Sequence, residues 1–404
     1  MTDPAQVSLA DIERAAETIR PLALRTPMED SRWLSALTGA AVLLKCENLQ
    51  RTGSFKVRGA LTRMARLTEE ERARGVVAAS AGNHAQGVAL AARTLGITAT
   101  VFMPEGAPIP KEKATREYGA DVIFSGRSIE DSLAEARAFG EQTGAILIHP
   151  FDNADVVAGQ GTCGLEILEQ APQVRTVVVP CGGGGLLSGI AVAVKAKNPE
   201  VRVIGVQAEG AAAYPPSLAA GHPVLLESMA TMADGIAVGL PGEVTFRAIR
   251  DLVDEVVTVS EASLSRAVLA TLERAKMVAE PAGAAAVAAI LDDPSRFGTT
   301  TVGVLSGGNI DPLLLGKVIQ HGMAAAGRYL NLRLRVPDRP GALAKLLADI
   351  GEAGANVIEV SHARIDANLS LDEVEVHLQL ETRGETHTEA LLTRLRERGY
   401  RVFE

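Results

Sequence analysis

Short apolar runs alternate with longer amphipathic stretches along most of the chain. Leu9, Ile12, Ala15 and Ile19 recur at helical spacing, which predicts a helix over 9–20. Beyond Pro21 and Pro27, the apolar run at 41–44 predicts a strand. Val57, Ala60, Leu61, Met64 and Ala65 then mark a helix, with Ser54 as its expected N-cap. Strands are expected at 76–79, 100–103, 122–124 and 145–148, and helices at 85–95, 111–118 and 129–143. After Pro150 the pattern predicts helices at 160–169 and 186–197 and strands at 176–179 and 201–207. Residues 208–245, with Tyr214-Pro215-Pro216 and several glycines, predict a long irregular excursion. Helices at 261–275 and 282–291 precede a last strand at 301–305. Apolar strands separated by long helices predict an α/β fold with largely parallel sheets.

The pattern shifts near Gly327. Strands at 330–336, 357–365, 374–380 and 400–403, with helices at 342–353 and 388–398, give the β-α-β-β-α-β order of a ferredoxin-like domain. The expected organisation is therefore an α/β region over 1–320, a linker over 321–329 and an α+β domain over 330–404.

At 404 residues the chain has ample length for two or three domains. Forty basic against forty-nine acidic residues, with no basic block, argue against nucleic acid as a partner. No apolar run reaches the length of a membrane span, and the Met1-Thr2-Asp3-Pro4 start lacks a secretory pattern. Cys46, Cys163 and Cys181 are odd in number and lack metal-type spacing, which fits reduced thiols in a cytoplasmic protein.

Candidate chemistry centres on Gly53-Ser54-Phe55-Lys56-Val57-Arg58-Gly59-Ala60. Lys56 falls in the first turn of its helix, where the dipole disfavours a cation. An amine there is suited to its neutral, nucleophilic form, which can make a Schiff base, although a solvated lysine is the ordinary reading of such a position. Gly182-Gly183-Gly184-Gly185-Leu186 follows a strand and opens a helix, so bare backbone N–H groups and the helix dipole converge on an anion. No Gly-Lys-Ser/Thr follows at the spacing of a nucleotide P-loop, and Leu187 stands where a dinucleotide fingerprint needs its third glycine. Two further segments, Ser80-Ala81-Gly82-Asn83-His84 and Ser306-Gly307-Gly308-Asn309, lie at strand ends.

These four segments, in this order and spacing, resemble the fold-type II pyridoxal-phosphate enzymes, and among them the threonine/serine dehydratases. The resemblance covers about residues 10 to 320, and the tail resembles a regulatory ACT domain. It implies two parallel-sheet α/β domains, the smaller over about 55–145 inserted in the larger. It also implies that Lys56 carries pyridoxal phosphate with Phe55 beside it, and that Gly182 to Leu186 hold the phosphate. Ser306 would meet the ring nitrogen and Asn83 the phenolic oxygen. Ser80, Ala81, Gly82, Asn83 and His84 would receive the substrate carboxylate, with His84 structural rather than an acid or base. Glu280, in Ala279-Glu280-Pro281, and Asn153 are implied neighbours of the cofactor. In the tail, Asp338, Arg339, Pro340, Gly341 and Asn356 are the implied ligand residues, for isoleucine or valine first. A homodimer or homotetramer is expected.

The implied reaction is deamination of L-threonine to 2-oxobutanoate and ammonia, and of L-serine to pyruvate. The racemases that resemble this chain carry a serine at the position of Ala81 and cation-binding acids at those of Gln207 and Ala213. Elimination without racemisation, and no metal site, are therefore expected. An ammonia-lyase preferring serine or hydroxyaspartate is the nearest alternative. A catalytically silent amino-acid sensor is the alternative of another class, and retention of Lys56, Asn83, the glycine run and Ser306 argues against it.

Overall fold

The computed structural model describes residues 7–363 and 372–403, in two compact units that divide between Leu315 and Gly316. The first unit carries strands β1 (Met28–Asp30), β2 (Val42–Cys46), β3 (Val76–Ala79), β4 (Ala99–Met103), β5 (Asp121–Phe124), β6 (Ile146–Leu147), β7 (Thr176–Pro180), β8 (Arg202–Ala208), β9 (Glu255–Val259) and β10 (Thr301–Leu305). Strands β5-β4-β3-β6 form one sheet, parallel throughout. The second sheet runs β1-β2-β10-β7-β8-β9 and is parallel except for the antiparallel edge strand β1. Its strands come from both flanks of the smaller sheet. The chain thus leaves the larger sheet after β2, builds the smaller one, and returns at β7.

Each sheet is buried by its helices, and the strands β2, β3, β4, β7 and β10 are buried along their whole length. This is why they read as continuous Val, Ile, Leu and Ala runs rather than as alternating patterns. The larger core gathers Val177, Val179, Leu187, Ile190, Val203, Val302 and Val304. The smaller one gathers Leu61, Met64, Val76, Val88, Val101 and Met103.

Several elements depart from the expected pattern. Helix Lys56–Ala65 has Phe55, not Ser54, at its N-cap and no side-chain cap bond. Ser54 instead pairs through its backbone with Gly307, and its buried hydroxyl has no partner. Helix Ala154–Gln170 begins well before residue 160 because the Asn153 side chain caps it, accepting from the Asp155 and Val156 amides. The excursion at 208–245 contains helix Tyr214–Ala220, short 3-10 turns at Glu209–Ala211 and Asp234–Ile236, and the start of helix Glu243–Leu252. Helix Glu261–Ala270 continues as a widened turn over Thr271–Ala275, ending at Lys276 in the left-handed region.

The second unit folds β11 (Tyr329–Pro337), helix Ala342–Glu352, β12 (Asn356–Ala363), β13 (Glu373–Glu381), helix Glu385–Glu397 and β14 (Arg401–Phe403). The antiparallel sheet order is β12-β13-β11-β14. Alternate residues Leu332, Leu334, Val336, Val374, Val376, Leu378 and Leu380 pack on Leu346, Ile350, Leu391 and Leu395 of the two helices. Residues 321–325, expected in a linker, complete the helix Pro312–Ala325. Residues 364–365 of the expected strand at 357–365 lie outside the described residues.

Candidate active site

Lys56 is the first residue of its helix, and its Nζ donates to the Pro150 carbonyl at 3.0 Å and lies 5.2 Å from the centre of the Phe55 ring. The residue keeps some solvent contact, but protein surrounds its amine. Burial lowers its pKa to about 8, against the opposing pull of Glu280. A neutral carbonyl as hydrogen-bond partner does little to retain the charge, so the amine is poised for nucleophilic or basic work near neutrality.

The segment before Lys56 docks on the turn after β10. The Phe55 amide donates to Ser306 O at 3.3 Å and the Gly308 amide to Gly53 O at 2.9 Å. Ser306 is itself buried, its amide donating to Gly283 O. Lysine and serine are therefore held on adjoining backbone strips although 250 residues separate them.

The turn Ser80–Gly82 leaves β3 and opens helix Asn83–Leu95. Ser80 Oγ accepts from the Gly82 amide at 3.1 Å. His84 is buried and its pKa falls to about 3, first through burial and then through the Lys56 charge. A neutral ring whose Nε2 donates to Ile148 O at 2.7 Å ties helix to strand end, which is a structural role. Asn83 Nδ2 donates to Glu280 Oε1 at 2.5 Å, and Asn83 Oδ1 accepts from Asn309 Nδ2 at 2.8 Å. Burial raises the Glu280 pKa to about 7, with Lys111 opposing the rise and Asp234 adding to it. Its Oε2 is buried without a partner.

Gly182 to Gly184 turn from β7 into helix Gly185–Lys197, with Gly184 at φ +92°. A Cβ on Gly183 would lie 2.4 Å from the Phe151 ring, and one on Gly184 2.1 Å from the Tyr214 hydroxyl. The Gly183 carbonyl is anchored behind the turn by Thr245 Oγ1 at 2.7 Å and the Tyr214 hydroxyl at 3.2 Å. The first N–H groups of helix Gly185–Lys197 have no partner within the helix, as an anion cradle requires. Leu186 is buried in the core, so only its backbone is open to a ligand at this turn.

Three of the four expected segments are thus joined by direct hydrogen bonds, and the glycine run packs on Phe151, next to the Pro150 whose carbonyl meets Lys56. Ala81 and Gly82 belong to the same turn, and Lys111 Nζ lies close to where a Gly82 Cβ would stand. Asn153 caps its helix through Oδ1, which accepts from the Asp155 and Val156 amides. Gln207 Oε1 accepts from the Tyr214 amide at 2.9 Å, so its side chain braces the excursion. Among the described residues, no cluster of three or more His, Cys, Asp or Glu side chains could hold a metal. Sequence reasoning missed the Pro150 carbonyl, the Tyr214–Thr245 brace and the Lys111–Asp234 ion pair at 2.7 Å. None of these carries a local signal, because each joins distant segments.

In the second unit the expected ligand residues separate. Gly341, at φ +85°, precedes helix Ala342–Glu352 with open space beside it. Asp338, Arg339 and Pro340 share that turn, beside the end of β11 where Pro337 pairs with Glu373. Asn356 pairs with Glu381, which faces Tyr329 at the other end of β11. A nine-residue strand at about 3.4 Å per residue sets them roughly 27 Å apart, so one domain does not bring them together.

The lysine with a lowered pKa, the buried serine and the glycine turn at a helix N-terminus fit pyridoxal phosphate, which needs an amine, a ring partner and a phosphate cradle. A family profile described as pyridoxal-phosphate dependent enzyme matches residues 19–308, and one described as ACT domain matches 331–399. An L-threonine ammonia-lyase of Thermotoga maritima is 48% identical over 98% of this chain and 99% of its own. That of Geobacter sulfurreducens is 47% identical over 97% and 98%. Among solved structures, a T.th. threonine deaminase aligns with TM-score 0.72 and 46% identity over 75% of this chain and 99% of its own. A maize serine racemase aligns with TM-score 0.74 and 38% identity over 77% and 96%.

Proposed function

The chain belongs to the pyridoxal-phosphate dependent enzymes, and from that premise we propose that it deaminates L-threonine to 2-oxobutanoate and ammonia by β-elimination of water, and L-serine to pyruvate. The observation that carries this reading is the Lys56 amine, lowered to about 8 and joined through Phe55 to Ser306 and through Glu280 to Asn83. Its chemistry needs a carbonyl cofactor, and pyridoxal phosphate when bound supplies a ring that withdraws electrons from the substrate α-carbon.

The chain's own residues do the rest. With that group bound, the N–H groups of Gly182 to Leu186 would hold the phosphate, the Ser306 hydroxyl would meet the ring nitrogen, and Asn83 would donate to the phenolic oxygen. Phe55 packs beside the ring. A hydroxyl in that place would not keep the nitrogen protonated as a carboxylate would, and the ring would then be the weaker electron sink that suits elimination. The turn from Ser80 through Ala81, Gly82, Asn83 and His84 offers N–H groups to the substrate carboxylate. Lys56 Nζ takes the α-proton, and Ala81 on the same turn has no group to return one from the opposite face. Purified protein should release ammonia from threonine, and Lys56→Ala should lose that activity by several orders of magnitude. Retained turnover in the Lys56→Ala variant would refute the assignment.

For the second unit we propose that a small amino acid, isoleucine or valine first, binds at the turn from Asp338 to Gly341 and changes activity. A ligand that also meets Asn356 takes the turn from one domain and Asn356 from another copy, so the site presupposes a homodimer or homotetramer. Regulation requires different affinity for two states, by about 1–3 kcal/mol. Calorimetry with isoleucine and valine tests this, and Gly341→Asp should abolish the heat. Absence of binding by the full chain would leave the domain a purely structural part. The three cysteines are free and buried thiols, which supports a cytoplasmic location.

A further inference from the structure

Asn83 can meet a phenolic oxygen usefully only through its N–H groups, and an amide turned end for end would offer an oxygen instead. The hydrogen bonds around it fix which way it faces. The Thr52 carbonyl can only accept, and it lies 2.6 Å from one atom of the Asn309 amide, which must therefore be Nδ2. The same nitrogen lies 2.8 Å from Asn83. Its two hydrogens are spent on Thr52 O and on Asn83, so the Asn83 atom that faces it is the oxygen. Nδ2 of Asn83 then faces Glu280 Oε1, and its second hydrogen is left for a ligand.

Gly53 makes this approach possible. It sits at φ +69°, and a Cβ there would lie 2.3 Å from Asn309 Oδ1. The glycine that opens the lysine segment therefore admits the asparagine that closes the serine segment.

We infer that Asn309 is a positioning residue that reads the direction of the Thr52 carbonyl and imposes it on Asn83, so that Asn83 presents an N–H to the bound cofactor. The inference rests on the cofactor reading given above. It gives Asn309 a duty that Glu280 alone does not perform. Glu280 titrates near neutrality, with its carboxyl surrounded by Lys56, Lys111, Asp234 and Asn83. Once protonated it can donate to an amide oxygen as well as accept from a nitrogen. The backbone carbonyl has no such freedom, so the arm through Asn309 holds the orientation at any pH.

The test uses the full-length protein loaded with pyridoxal phosphate and reads its absorption bands. A donor at the phenolic oxygen favours the ionised form and the long-wavelength yellow band. Wild type should keep that band unchanged across neutral pH. In Asn309→Ala the band should weaken towards the near ultraviolet as pH falls through about 7, where Glu280 takes up its proton. In Asn309→Asp, two acceptors would face Asn83 Oδ1 and Thr52 O. The amide should turn once Glu280 becomes a donor below about pH 7, where the yellow band should fall further than in Asn309→Ala and affinity for pyridoxal phosphate should drop about tenfold, the loss of one hydrogen bond to a charged oxygen. Loss of packing alone would weaken binding without a pH-dependent band. If both variants keep the wild-type band and its flat pH profile, the inference is overturned while the cofactor reading stands. If wild type itself takes up no pyridoxal phosphate, both are overturned.

Discussion

Apoenzyme should capture pyridoxal phosphate with a pH dependence set by Lys56. Only the neutral amine attacks a carbonyl. With a pKa of about 8, roughly one Lys56 in eleven is neutral at pH 7, against about one in three thousand for an ordinary lysine at 10.5. The local environment should therefore accelerate capture at pH 7 by about 300-fold over an exposed lysine, if intrinsic reactivity is equal. The assay is stopped-flow absorbance of apoenzyme mixed with excess cofactor over about pH 6 to 10. Dividing by the rate for a free amine of known pKa removes the cofactor's own titration. The corrected rate should be half-maximal near pH 8 and fall about tenfold for each unit below it.

The partner charge fixes the sign of a second measurement. Glu280 opposes the effect of burial by favouring the ammonium form of Lys56. At pH 8 Glu280, with its own pKa near 7, is mostly ionised. Removing the charge with Glu280→Gln should thus shift the capture midpoint below 8, and raising the salt concentration should not reproduce the shift at so enclosed a site. A midpoint near 10 in wild type would refute the burial argument. An unchanged midpoint in Glu280→Gln would show that the carboxylate does not act on the amine.

Three further outcomes are expected. Ser306→Asp should hold the ring nitrogen protonated and divert part of the turnover from elimination to transamination, measured as pyridoxamine phosphate formed per pyruvate; an unaltered partition would place another group at that nitrogen. Wild type given L-serine should accumulate no D-serine by chiral chromatography, whereas Ala81→Ser should produce some; D-serine from wild type would contradict the one-face argument. Glu47→Ala should lower stability by about 3–5 kcal/mol, because Arg58 would lose a bidentate partner at 2.8 Å inside the protein. Burial alone would raise the Glu47 pKa, but Arg58 holds it below the usual value, so its contribution is complete above the ordinary carboxylate range and is lost as pH falls through the folded value. A melting temperature left unchanged by Glu47→Ala at neutral pH would refute this.

What the sequence made legible was local. Consecutive glycines after a strand announce a tight strand-to-helix turn because the requirement for bare backbone is met within five residues. Lys56 is legible because its place in a helix's first turn follows from the spacing of Val57, Ala60 and Met64. Strands β1 and β9 were not legible. Met-Glu-Asp has no apolar alternation, and Glu255–Val259 is only partly covered at the sheet edge. Ser54 misled because capping was judged from residue type. Its backbone is committed to Gly307 from the other end of the catalytic unit, which no local pattern could reveal. Asn356 opens its strand as expected, and register sets it at the end of the sheet away from the turn of its own domain, a separation that only the pairing of β12 with β13 reveals.

The buried charges beside Lys56 show how one helix turn supports two opposite outcomes for a cation. Arg58, two residues on, is fully buried and keeps its charge. Glu47 meets its Nε and Nη2 at 2.8 Å each, Glu166 meets Nη1 and Nη2 at 2.7 and 2.9 Å, the Thr162 hydroxyl takes the remaining Nη1 donor, and the Leu24 carbonyl shares Nη2 with the carboxylates. Lys45, also buried, donates to Glu166, Gln170 Oε1 and Thr26 O. Two cations and two anions thus form a neutral, hydrogen-bonded set linking β2, the lysine helix and helix Ala154–Gln170. Among the described residues Lys56 has only a neutral carbonyl at bonding distance, and burial takes its proton affinity down. The difference between an anchor and a nucleophile here is the supply of carboxylates in contact, not depth. Anchoring Arg58 through two carboxylates also fixes the helix that presents Lys56, so the reactive amine is placed by the charges it does not share.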